Sequence, residues 1–302
     1  MKPRTKGYLF ALLAAFFFSF IAIIGKGLVG SGIHPIQLSF YQYCFTVLLL
    51  TGWIGLRNPI ALRPRRKLLG LYALQGIVGS LGSNLLFYGA LMYLDAGLTS
   101  MLLFVNPVYV TVFFALTGLR AMRPVNFISV ILAVVGAMIV LNVFSGGIHA
   151  WPGLGLVWGI GSGLTYAFYN VLADLKFQSE DPNVINLFAS VSALVVSAVL
   201  LAATGIGYAI PLESLPSILL LASISGILPI FFIFKALKFI GSEQVTVVAS
   251  MELPMTLVLA FTLLGERMAP IQLVGIVCIV GATLLLHGSE EQEELEAQET
   301  HE

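Results

Sequence analysis

A single carboxylate, Glu252, sits in the stretch Ser250-Met-Glu252-Leu-Pro254, inside an otherwise apolar run over 244–264. Pro254 marks the middle of that run, so Glu252 lies about 3 Å from it at ~1.5 Å per helical residue. An ionised carboxylate at the centre of a hydrocarbon layer costs about 2.5–3.5 kcal/mol on insertion scales, so it must face protein or a water-filled cavity. There it can bind the ammonium of an amino-acid-like substrate, carry a coupling proton, or do both in alternation. The structural alternative is that it caps backbone groups freed by Pro254 or bonds a neighbouring helix.

Neutral polar side chains recur at helical spacing in other apolar runs. Ser162, Thr165, Tyr166, Tyr169 and Asn170 form one stripe, and Ser39, Gln42, Tyr43 and Thr46 form a second. Ser80, Asn84 and Tyr88 recur every four residues, and Asn106 and Tyr109 share a face. Stripes of this kind turn away from lipid, either to line a cavity or to bond one helix to the next. Cavity lining is the reading adopted for Tyr166, Tyr169 and Asn170, with Asn106, Asn84, Gln42 and Tyr43 as its expected companions. Glu266 and Arg267 fall in a turn and are expected to cap or pair, while Lys26 is expected to snorkel. The spacing of Gly155, Gly159 and Gly163 suits close helix packing, within the bundle or at a dimer contact.

Other chemistries lack their parts. There is no His-Glu-x-x-His, no Gly-x-Ser-x-Gly and no histidine at membrane depth, so an intramembrane enzyme is not expected. No Gly-x-x-x-x-Gly-Lys-Ser/Thr loop is present to bind ATP. His34, His149, His287 and His301 fall in loops, at a helix end or in the tail, so no metal site is expected of them. Cys44 and Cys278 lie in different apolar runs and read as packing residues. A lining this poor in Arg and Lys does not suit sugar phosphates. No cofactor and no nucleic-acid partner is implied.

Helices in a membrane must hold these side chains. The chain is 58% apolar and 10% charged, against about 25% charged in soluble domains, and its mean hydropathy is +0.98. Ten apolar segments can span a hydrocarbon core of roughly 30 Å: 7–29, 36–56, 68–94, 96–118, 125–143, 153–175, 184–204, 216–238, 244–264 and 269–287. Lys2, Arg4 and Lys6 precede a first segment longer than about 20 residues with no small-residue cleavage site after it, which predicts a retained helix. Seven of the fifteen acidic residues lie in 289–302, which reads as a disordered tail.

The segments are duplicated. Pro107 and Pro254 are 147 residues apart, as are Gly118 and Gly265, and Arg120 and Arg267. Two halves of five helices follow, 1–145 and 151–288, and an odd number of crossings inverts the second relative to the first. The interface between inverted halves is where carriers place their substrate. With the N-terminus cytoplasmic, thirteen Lys and Arg fall on the inner side and only Lys26 and Arg267 on the outer, which places both termini inside. Pro107 and Pro254 are expected to kink their helices and to serve as hinges.

At these residues the chain resembles the drug/metabolite transporter superfamily, specifically its ten-helix EamA family. The matching pieces are the Tyr88-Gly-Ala-Leu-Met-Tyr93-Leu-Asp-Ala-Gly-Leu-Thr-Ser100 junction, Asn106-Pro107, Glu252-Leu-Pro254, Gly265-Glu266-Arg267, and Phe18-Ser-Phe20 repeated as Tyr166-Ala-Phe168. The resemblance implies an all-α integral membrane protein with ten transmembrane helices as two inverted five-helix repeats around a central cavity. It implies an inner-membrane, multi-pass carrier, commonly an exporter of amino acids or other small metabolites working by alternating access. Its partners would be a small-molecule substrate and the lipid bilayer, with monomer and homodimer both open. Carriage of a lipid-linked or amphipathic substrate is the alternative. Two departures stand out: the first half reads Gly118-Leu119-Arg120 where the second reads Gly-Glu-Arg, and the second segment has Ser39-Phe-Tyr-Gln42-Tyr43 where members often carry an arginine.

Overall fold

Short polar caps and prolines set where the helices begin. His34 precedes Pro35, and its Nδ1 accepts the Ile36 N–H while Gln37 Oε1 accepts the His34 N–H, a reciprocal cap. Asp181 precedes Pro182 and accepts the Asn183 N–H at 2.8 Å. Proline fits the first helical position because its missing N–H has no partner there anyway. These two starts are also 147 residues apart. Gly118 and Gly265 end their helices with φ of 64° and 68°, the left-handed conformation that closes a helix without Cβ strain.

A computed structural model describes residues 3–119, 124–140, 152–177, 180–229, 231–233, 235–236, 239, 248, 251–266, 269–282 and 285, with backbone alone at 3, 4, 107, 126, 137, 140, 174 and 226. Arg120, Arg123, Lys238, Arg267, three of the four histidines and the acidic tail lie outside this set. Among the described residues there is helix and no strand. The helices are α1 (Pro3–Gly30), α2 (Pro35–Arg57), α3 (Leu69–Leu74), α4 (Gly82–Leu91), α5 (Ala96–Leu103), α6 (Asn106–Thr117), α7 (Pro124–Val140), α8 (Gly153–Lys176), α9 (Pro182–Thr204) and α10 (Leu215–Gly226). They are followed by α11 (Glu252–Leu264) and α12 (Pro270–Ala282).

Among the described residues, five helical stretches are long and apolar enough to cross a membrane: Thr5–Gly30, Pro35–Arg57, Arg66–Leu91, Ala96–Thr117 and Pro182–Thr204. Shorter apolar helices cover Phe127–Gly136, Leu212–Ser225, Glu252–Leu264 and Pro270–Ala282. The Arg66–Leu91 rod is not uniform, because α3 and α4 are joined by a π-helical stretch, Gln75–Leu81. Such wide turns displace side chains from regular helical register and recur at functional sites.

The two sequence halves interleave. α2 packs on α9 and α10, α4 on α8, α1 on α10 and α11, and α5 on both α8 and α11. The largest apolar cluster joins Ile23, Leu38, Tyr88 and Leu91 of the first half to Ile218, Leu221 and Ile224 of the second. Glycines permit the closest approaches: a Cβ at Gly76 would collide with the Ala189 carbonyl, and one at Gly89 with the Trp158 ring. Gly155 faces Tyr93 and Leu94, Gly159 faces Leu102, and Gly163 meets the Leu102 carbonyl. That small-residue face therefore packs inside the bundle.

Candidate functional site

Pro107 and Pro254, expected to kink their helices, each fall in the first turn of a described helix. The fourth segment is broken at Phe104-Val105, with α5 ending at Leu103 and α6 starting at Asn106. α11 starts at Glu252, after a turn at Met251. The first four N–H groups of any helix lack an intrahelical acceptor, so a proline among them forfeits nothing. Asn106 and Glu252 are thus first residues of helices that begin at adjacent repeat positions in opposite halves. A carboxylate in a first turn also meets the positive end of the helix dipole.

Both residues line one cavity of about 350 Å³, a volume within the range of small-ligand pockets. α2 contributes Gln42, Tyr43 and Thr46, and the Arg66–Leu91 rod contributes Gly79, Ser80, Ser83, Asn84 and Phe87. α5 and the break contribute Ser100, Leu103 and Phe104, and α8 contributes Tyr166 and Tyr169. Seven of the eight residues expected at the site therefore share this wall. The eighth, Asn170, stands behind it and donates to Asn106 Oδ1 at 3.2 Å.

The hydrogen bonds explain the order of the wall. Asn106 Nδ2 donates to the Leu103 carbonyl at 3.0 Å, satisfying an acceptor that the helix break leaves free. Asn84 donates to Tyr43 Oη at 2.9 Å, and that hydroxyl also pairs with Ser80 at 3.0 Å. Tyr88 donates to Gln42 Oε1 at 2.6 Å, and Gln42 Nε2 donates to Ser225 at 3.1 Å. Gln42, Tyr43, Ser80 and Asn84 thus both line the cavity and bond one helix to the next. Tyr88, only 1% exposed, belongs wholly to the bonding. On α8, Ser162 and Thr165 donate to their own backbone, while Tyr166 and Tyr169 stack with ring centroids 6.1 Å apart. The Glu252 carboxylate accepts no hydrogen bond from the described residues; only its backbone carbonyl is used, by Thr256 Oγ1 at 2.9 Å.

Charged side chains away from the cavity tie the bundle at its two ends. Lys26 does not reach out to water as expected: its ammonium donates to the Leu91 and Leu94 carbonyls at 2.8 and 2.7 Å, closing the end of α4. Glu266 takes the N–H groups of Ala96 and Gly97, capping α5. At the same end Gln37 donates to the Gly207 and Ala209 carbonyls. At the opposite, basic end Arg65 pairs with Glu180, which also accepts from Tyr72. Tyr72 stacks on Phe177 and Phe188 there, with centroids 5.4 and 5.3 Å away. Lys235 lies over the Phe10 and Phe231 rings.

Sequence reasoning passed over several lining residues: Asn186 and Ser190 on α9, Ser225 on α10, Ser100 on α5 and Thr256 on α11. Asn186 with Ser190 and Glu252 with Thr256 are each spaced i, i+4, the same signal that marked the other stripes. Ser225 and Ser100 carried no such partner.

The sequence model of the EamA-like transporter family matches the chain twice, over residues 5–142 and 153–287. An uncharacterized transporter of Clostridium kluyveri is 23% identical over 298 residues, covering 94% of each chain. The threonine/homoserine exporter RhtA of Escherichia coli K12 is 28% identical over 204 residues, 67% of this chain and 66% of that one. A crystal structure at 16% identity superposes with a TM-score of 0.63, covering 93% of this chain and 96% of that one, and so shares its fold.

Proposed function

The chain belongs to the EamA-like transporter family, matched in both halves, and from that premise we propose that it is a secondary carrier exporting amino acids or similar small metabolites. In this reading ten segments cross the cell's inner membrane as two inverted five-helix repeats, 1–145 and 151–288, with 289–302 a cytoplasmic tail. The carrying observation is Glu252: a carboxylate that accepts no hydrogen bond from the described residues, at the start of a helix, facing a cavity shared by both halves. Broken helices whose ends face a central site are a recurring transporter device. The relation to a threonine/homoserine exporter supports outward movement of an amino-bearing solute.

Alternating access follows from the same parts. The breaks at Phe104-Val105 and Met251 uncouple α6 and α11 from the preceding chain, so Pro107 and Pro254 mark hinges about which the cavity opens to one side and then the other. Glu252 exchanges a proton for the substrate's ammonium, so that an inward proton gradient drives export. The positive-inside bias keeps both termini in the cytoplasm. A fluorescent protein fused to the C-terminus should therefore fold and emit, and a dark fusion would overturn the orientation.

The test is efflux from proteoliposomes preloaded with a mixed metabolite pool and read by mass spectrometry, with and without a pH gradient. Selective loss of amino-bearing solutes, faster with the gradient, is the expected result. Losses equal to those of protein-free vesicles would overturn the reading.

A further inference from the structure

Among the described residues that line it, the cavity has an anionic pole and no cationic one. Among its described lining residues Glu252 is the sole carboxylic acid, and no Lys, Arg or His is present. The Lys and Arg residues within the ten apolar segments are Lys26, Lys235 and Lys238, and His287 is the last residue of the tenth. Lys26 is committed to two backbone carbonyls, Lys235 lies over the Phe10 and Phe231 rings at 5.3 and 4.6 Å, and Lys238 is the last residue of its segment. A substrate carboxylate would therefore be desolvated without a counter-charge, the costliest kind of burial.

The neutral donors at the wall supply no opposing charge, and several are already engaged. Gln42, Asn84 and Asn106 each spend an amide N–H on a protein acceptor, respectively Ser225, Tyr43 and the Leu103 carbonyl. A carboxylate entering the site would also meet Glu252 itself. An ammonium meets the opposite conditions. It finds a carboxylate with no partner among the described residues, and on the same wall the stacked rings of Tyr166 and Tyr169, whose faces attract cations by roughly 0.5–2 kcal/mol each.

We propose that this site selects small organic cations, protonated amines that lack a free carboxylate, over the corresponding amino acids. The inference rests on the carrier reading above and narrows its substrate class. Amino acids remain weak competitors, and carboxylate-blocked derivatives bind as amines do.

Isothermal titration of the full chain in detergent tests this with three ligands that share one amino-alcohol skeleton: threonine, threonine amide and 1-aminopropan-2-ol. The amine and the amide should bind at least tenfold more tightly than threonine. Glu252→Gln should lower amine affinity at least tenfold, while Glu252→Asp, which keeps the charge, should retain the preference for amine over threonine. Equal or tighter binding of threonine, no binding of any of the three, or an unchanged amine affinity in Glu252→Gln would overturn the proposal. Threonine export in proteoliposomes combined with tighter threonine binding would overturn this proposal alone, whereas absence of any efflux would overturn the carrier reading.

Discussion

The Glu266 carboxylate accepts the backbone N–H groups of Ala96 at 2.6 Å and Gly97 at 3.0 Å, so a residue of the second half caps a helix of the first. These are two of the orphan donors that every helix start must satisfy, and the negative charge also meets the helix dipole. Glu266→Ala should cost about 1–2 kcal/mol of stability, the upper range for a lost cap. Thermal unfolding in detergent measures it, and an unchanged midpoint would show that water replaces the carboxylate at no cost.

His34 makes a second cap sensitive to pH. Its Nδ1 accepts the Ile36 N–H only when the ring is neutral on that side, and burial holds its pKa below the usual 6.5. A folded pKa below the unfolded one means that the contribution is fully present above about pH 6.5 and is lost as pH falls through the folded value. The wild type should therefore lose stability on acidification below pH 6.5, and His34→Asn, which caps without titrating there, should flatten that limb of the profile. Parallel profiles for the two proteins would contradict the assignment.

Gly76 and Gly27 separate close packing from helix propensity. A Cβ at Gly76 collides with the Ala189 backbone, whereas one at Gly27 meets nothing within 4 Å. Gly76→Ala should destabilise by about 1–3 kcal/mol, as overpacking does. Gly27→Ala should stabilise by up to about 1 kcal/mol. Unfolding midpoints shifted in the same direction would refute the packing of the Gln75–Leu81 stretch against α9.

Much of the site is legible in the sequence because its logic is local. Polar residues spaced three or four apart on apolar helices turn inward whatever the neighbouring helices are, and so Gln42, Tyr43, Asn84, Tyr166 and Tyr169 could be named without coordinates. The 147-residue repeat likewise shows at Pro107 and Pro254. What the prolines do is not local. Proline suits a kink and a first turn alike, and only the backbone distinguishes them, as at the Phe104-Val105 break. Lys26 misleads for the same reason, since a lysine near a helix end reaches water by default unless a neighbour leaves carbonyls free, as α4 does at Leu91 and Leu94. Asn170 has the spacing of a lining residue but is separated from the cavity by Asn106, a relation between two helices 64 residues apart in the chain.

In the proposed mechanism Glu252 is the group at which proton and substrate meet. The most direct measurement is pH-gradient-driven efflux from proteoliposomes holding wild type or Glu252→Gln at matched protein content. The variant is expected to insert and fold but to lose acceleration by the gradient together with the pH dependence of its rate. Transport by Glu252→Gln at the wild-type rate, with the wild-type pH profile, would contradict it.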